Sequence, residues 1–125
     1  MKVLVVEDSD DVGRVTIEYL RELGHDGVRV ADAEEALSLL PDAKFDALMT
    51  DIRLPGMSGI KLALELLKQY PDLPVLICSG YGSINLEHVL GYKPRSIFVL
   101  PKPYDLSALR GTLTQAAALG RQGSL

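Results

Sequence analysis

The chain has 125 residues, 47% of them hydrophobic, and 13 Lys and Arg against 17 Asp and Glu give a formal net charge of -4. That length suits one compact domain with its own core, and a second folded domain is not expected. An acidic balance without a basic stripe argues against direct nucleic-acid binding, and a single cysteine excludes a disulfide framework. Met1 leads straight into an apolar run, with no charged leader before a long apolar stretch. No run approaches the roughly 20 residues that span a bilayer. A cytoplasmic protein with no membrane partner is therefore expected. Lys2 to Val6 reads as the first strand. Asp10 to Leu23 follows as a helix, with Val12, Val15, Ile17, Tyr19, Leu20 and Leu23 on one broad face and Gly24 as its stop. Gly27 to Val30 and Ala33 to Leu40 repeat the strand and helix, closed by Pro41-Asp42. Phe45 to Thr50 is the third strand, Gly59 to Tyr70 the third helix, and Leu73 to Cys78 the fourth strand, with Cys78 read as a small buried hydrophobe. Ser83 to Leu90 allows only about two helical turns before Gly91 and Pro94, so a short or irregular helix is expected there. Ile97 to Leu100 is the fifth strand. Leu106 to Leu119 is the last helix, with Leu106, Leu109, Leu113 and Ala117 inward and Asp105 placed to cap it. Residues 120–125 lack a core-facing pattern and are expected to fray as a flexible tail beyond a domain of residues 1–119.

Apolar runs alternating with amphipathic helices predict an α/β fold, a five-stranded parallel sheet with helices on both faces in a doubly wound sandwich. Open sheets of this kind bind ligands at the carboxyl edge. Glu7 and Asp8, Asp51, Ser79 and Lys102 all fall at strand ends there. Each has an ordinary explanation alone. Asp8, Ser9 and Asp10 precede a helix and suit capping, Asp51 stands at a strand-to-loop junction, and a lysine between two prolines can be a solvated loop cation. Together they form an acidic pocket with one cation. Such a pocket suits Mg²⁺, which takes one or two carboxylates and fills its octahedron with water and phosphate oxygens. Lys102 and the Ser79 hydroxyl could then serve a phosphate, and aspartate is a known phosphoryl acceptor. His25 and His88 have no partners at metal-ligand spacing, and no P-loop motif is present, so a phosphate donor must come from elsewhere.

Val3-Leu4-Val5-Val6-Glu7-Asp8, Asp51-Ile52-Arg53-Leu54-Pro55-Gly56-Met57-Ser58-Gly59, Ser79-Gly80 and Lys102-Pro103-Tyr104 resemble the receiver domain of two-component response regulators. The resemblance covers residues 1–119. It implies the flavodoxin-like (βα)5 fold with strand order 2-1-3-4-5 and a phosphoacceptor rather than an enzyme with a turnover substrate. Asp51 would accept a phosphoryl group from a histidine of a sensor kinase or a phosphotransfer protein. Asp8, Asp51 and the Arg53 carbonyl would ligate Mg²⁺, with Glu7 acting through water. Ser79 and Lys102 would bind the phosphoryl oxygens, and the Lys102-Pro103 peptide would be cis. Output would pass through a protein partner, a homodimer or a further relay. The segments around Ser79 and Lys102 look most like receivers of hybrid histidine kinases, whereas Met1-Lys2 looks like the start of a stand-alone regulator.

Two departures stand out. Receivers commonly carry Tyr or Phe three residues before the lysine, where this chain has Val99, and Phe98 stands one place out of phase on the strand. Arg53 and Tyr81, two past Asp51 and Ser79, are bulky at positions that line the approach of hydrolytic water, which implies a long-lived phosphoryl group. The alternatives are a Mg²⁺-dependent phosphohydrolase, a phosphate-independent binding module and a flavin carrier. The first lacks an acid two residues after Asp51, the second is disfavoured by the intact acidic set, and the third lacks a phosphate-cradling loop after the first strand.

Overall fold

The computed structural model describes residues 1–40, 44–80, 91 and 95–123. Tyr81, His88 and the helix expected from Ser83 lie outside them. The described elements are β1 (Lys2–Val6), α1 (Asp10–Glu22), β2 (Asp26–Val30), α2 (Ala33–Leu39), β3 (Ala47–Asp51), α3 (Gly59–Gln69), β4 (Val75–Ser79), β5 (Ile97–Pro101) and α4 (Leu106–Gly123). The strands pair in parallel in the order β2-β1-β3-β4-β5. Every expected strand is present, though β3 and β4 begin two residues later than their apolar runs and reach Asp51 and Ser79. Both residues therefore belong to the strand ends rather than to the loops.

Alternation along the strands builds two apolar layers. Leu4, Val6, Leu48, Val75 and Ile77 pack against Ala33, Ala36, Leu62, Ala63 and Leu66 of α2 and α3. On the opposite face Val3, Val5, Met49, Leu76, Cys78 and Leu100 meet Leu20 of α1 and Leu109, Leu113 and Ala116 of α4. Burial on both faces explains why the strands read as continuous apolar runs. Two inward assignments shift: Ala116, not Ala117, is the fully buried alanine of α4, and Val15 of α1 is exposed. Thr16 and Gly13 take part in the buried side of α1 instead. The backbone of α4 also continues to Gly123, beyond Leu119.

Side-chain caps set the helix starts and hence the loops at the carboxyl edge. Ser9 accepts from Val12 N, Asp32 from Glu35 N, Ser58 from Lys61 N and Asp105 from Ala108 N. Of the three capping candidates before α1 it is Ser9 that caps, which leaves Asp8 outside the helix. Gly24, at φ 85°, closes α1 as expected. Gly59 opens α3 so close to β3 that a Cβ there would lie 1.9 Å from the Asp51 carbonyl oxygen.

Candidate functional site

The register brings four strand ends to one place. Asp51 pairs with Cys78, so Ser79 stands one residue further along β4, and Ser79 pairs with Pro101, immediately before Lys102. Lys102 N donates to the Ser79 carbonyl at 2.7 Å, which carries the ladder one step past β5. The Lys102-Pro103 peptide is cis, as the resemblance implies. From this position Lys102 Nζ donates to Glu7 Oε1 at 2.6 Å and to Asp51 Oδ2 at 3.0 Å. One ammonium thus bridges the ends of β1 and β3.

Glu7 is buried, at 5% exposure. Its second carboxylate oxygen accepts from Ser9 N at 3.1 Å, so both oxygens have fixed donors. Asp51 is half-buried, and its Oδ1 accepts from Ile52 N at 2.9 Å. Asp8 is exposed at the mouth. A carboxylate oxygen from each of Glu7, Asp8 and Asp51 lies within 4.8 Å of the other two. Three hard oxygen donors at that spacing fit a divalent cation, which would relieve their mutual repulsion beside a single lysine. Arg53 is exposed two residues past Asp51, and Ser79 is buried at the end of β4.

Charge in this pocket shifts its neighbours. Burial alone would lower the Lys102 pKa, but the hydrogen bonds and charges of Glu7 and Asp51 outweigh it and raise the ammonium above its ordinary value. Burial pushes the Cys78 thiol up to about 12, and Asp51 and Glu7 add to that, so at neutral pH it remains a protonated, inert core group as expected. Burial likewise raises Tyr104 to about 12. Its phenol shares a 2.5 Å hydrogen bond with Thr16 Oγ1 and ties the Lys102 loop to α1. A groove of about 520 Å³ lies beside that tie, lined by Val12, Val15, Tyr19, Pro103 and Tyr104 among others.

Residues 3–114 match the family of the response regulator receiver domain. The chain belongs to this family. Among its receiver relatives, the sensor protein TorS of Escherichia coli is 37% identical over 112 residues, which cover 87% of this chain and 12% of TorS. The response regulator receiver protein CpdR of Brucella abortus is 31% identical over 108 residues, 86% of this chain and 89% of CpdR. The receiver fold is equally plain in the chemotaxis response regulator CheY4 of Vibrio cholerae, with a TM-score of 0.77 and 28% identity over 92% of this chain and 97% of that one. Of several other curated relatives it matches, the chain spans about half the length or less. It therefore resembles both a short part of a longer sensor protein and nearly the whole of a receiver protein.

Two contacts of this receiver were not foreseen in its sequence. One is the Tyr104-Thr16 tie. The other is Arg29 of β2, whose Nε and Nη2 donate to the Glu7 carbonyl at 2.9 and 2.7 Å. A glycine inside the α1 pattern, Gly13, was the available signal, since a helical glycine usually marks close packing. Phe98 is partly buried and packs against the layer under α1 and α4.

Proposed function

We propose that the protein is a phosphorelay receiver in which Asp51 accepts a phosphoryl group from a phosphohistidine of a sensor kinase or histidine phosphotransfer protein. An Asp51 carboxylate oxygen forms the new P–O bond as the P–N bond to the donor imidazole breaks, and the electron pair returns to the imidazole. Asp8, Asp51 and the Arg53 carbonyl would hold Mg²⁺, with Glu7 acting on it through water. When bound, the ion would supply positive charge beside the phosphoryl oxygens. Lys102 gives its ammonium to one phosphoryl oxygen and the Ser79 hydroxyl donates to another. The new group adds about -1.5 to -2 charges, which draws Ser79 and Lys102 inward and alters the surface that a partner reads. The chain acts as a phosphoacceptor with self-catalysed gain and loss of phosphate rather than as a turnover enzyme. Its receiver domain is residues 1–119, with 120–125 as a tail, it works in the cytoplasm, and its output runs through a partner, a dimer or a further relay.

The observation that carries this reading is the single lysine held between Glu7 and Asp51, 2.6 and 3.0 Å away, with Asp8 beside them. Intact-mass measurement after incubation with acetyl phosphate tests it. One phosphoryl adduct is expected in the wild type with Mg²⁺, and none without Mg²⁺ or in Asp51→Asn. No adduct, together with no release of inorganic phosphate, would leave only a binding module.

A further inference from the structure

Arg29 stands opposite Val5 on the outer strand β2, and its side chain leaves the sheet to cross the start of α1. Two of its N–H groups converge on the Glu7 carbonyl, and Nη1 reaches Asp10 Oδ1 at 2.7 Å. The Asp10 carboxylate is 92% exposed, so that bridge contributes little. The weight of the arrangement lies at the carbonyl, where two charge-assisted hydrogen bonds meet one oxygen.

We propose that Arg29 is a positioning residue for the Glu7-Asp8 turn, holding the two carboxylates in their cation-binding arrangement, and that Gly13 is the gap in α1 that admits it. This rests on the cation site proposed at Glu7, Asp8 and Asp51. Glu7 N is already fixed to the Val30 carbonyl at 3.0 Å, and its carboxylate to Ser9 N and Lys102 Nζ. The Glu7 carbonyl belongs to the planar peptide from which Asp8 departs, so fixing that oxygen fixes the direction in which the exposed Asp8 leaves the sheet. A Cβ at position 13 would lie 2.5 Å from both Cδ and Nε of Arg29, so the arginine would have to leave its present course. Glycine weakens a helix interior relative to alanine, and at position 13 it leaves room for the guanidinium stem.

Charge and positioning predict opposite signs. A guanidinium near an acidic pocket repels an incoming cation, so if charge alone matters, Arg29→Met binds the cation more tightly. If positioning matters, it binds more weakly, and Arg29→Lys, which keeps the charge but loses the fork, fails to rescue. Titration of the full chain with Mn²⁺, following the free-ion electron paramagnetic resonance signal with Mg²⁺ as competitor, separates the two. Arg29→Met and Arg29→Lys are expected to bind about 10-fold more weakly, the lower range for losing an outer-sphere partner. Gly13→Ala is expected to lose a similar factor although alanine is the better helix former, and Gly13→Ala with Arg29→Met to lose no more than either alone. At saturating Mg²⁺ the yield of acetyl phosphate adduct in Arg29→Met returns to the wild-type level, which separates a shifted ion midpoint from a general loss of structure. Unchanged or tighter Mn²⁺ binding in both Arg29→Met and Gly13→Ala overturns the inference while the receiver reading stands. No Mn²⁺ binding by the wild type overturns both.

Discussion

Lys102 is the residue on which the pocket turns, because its ammonium serves a buried and a half-buried carboxylate at once. Hydrogen bonds between charged groups contribute about 2 kcal/mol each to stability at most sites, and removing the lysine also leaves Glu7 and Asp51 facing each other unneutralised. The pH dependence follows from the raised pKa of Lys102. A cation held above its unfolded value contributes fully below that value, about 10.4 for lysine, and the contribution declines as pH rises beyond it. Urea unfolding of wild type and Lys102→Met should therefore differ by a constant amount between about pH 7 and 9, with the gap closing above about pH 10.4. A gap that already closes between those lower values would mean that the tie is not what separates the two proteins. The same residue shows how chemistry is legible in the sequence: a lysine after Pro101 is ordinary, but a lysine, a serine and three acids at four strand ends are not. Arg29 stayed hidden because its partner is a backbone carbonyl, and a side chain's reach to a main-chain atom leaves no trace in residue pattern.

At the scale of elements, the strands were readable because parallel strands buried on both faces must be apolar throughout, and their order came with the family resemblance rather than with the pattern. Helix faces were read less finely. Ala116 and Ala117 are adjacent alanines of nearly equal fit to a period of 3.6, and only the packing of α4 chooses Ala116. The junction of β3 and α3 shows what periodicity cannot express. Gly59 N donates to the Ile52 carbonyl at 2.9 Å while its Cα faces the Asp51 carbonyl, so helix and strand end meet with no space for a side chain. Gly59→Ala should lose about 3 kcal/mol or more of stability, because both colliding groups are backbone. Gly111→Ala, in open space on α4, should gain roughly 0.5–1 kcal/mol from helix propensity. Paired urea titrations give both values, and equal effects of one sign would refute this account of the junction.

For the whole molecule, the two apolar layers hold five strand ends in register, and the acidic cluster at that edge sets carboxylates against one another. A cation that binds the folded form alone stabilises it by mass action, by about 2.7 kcal/mol at a hundredfold excess over its Kd. Thermal unfolding should accordingly move upward with Mg²⁺ in the wild type and by clearly less in Asp51→Asn, whereas coincident wild-type curves with and without Mg²⁺ would deny the cation a place in the fold. The ion pair between Lys102 and Glu7 joins positions 95 residues apart. During synthesis on the ribosome, Glu7 and Asp51 emerge long before the lysine that pairs with both. Until Lys102 is made, Glu7 and Asp51 lack the ammonium that bridges them. The bridging ammonium of the pocket thus arrives only after the last strand, so a chain that stops short of Lys102 cannot assemble this cluster of charges.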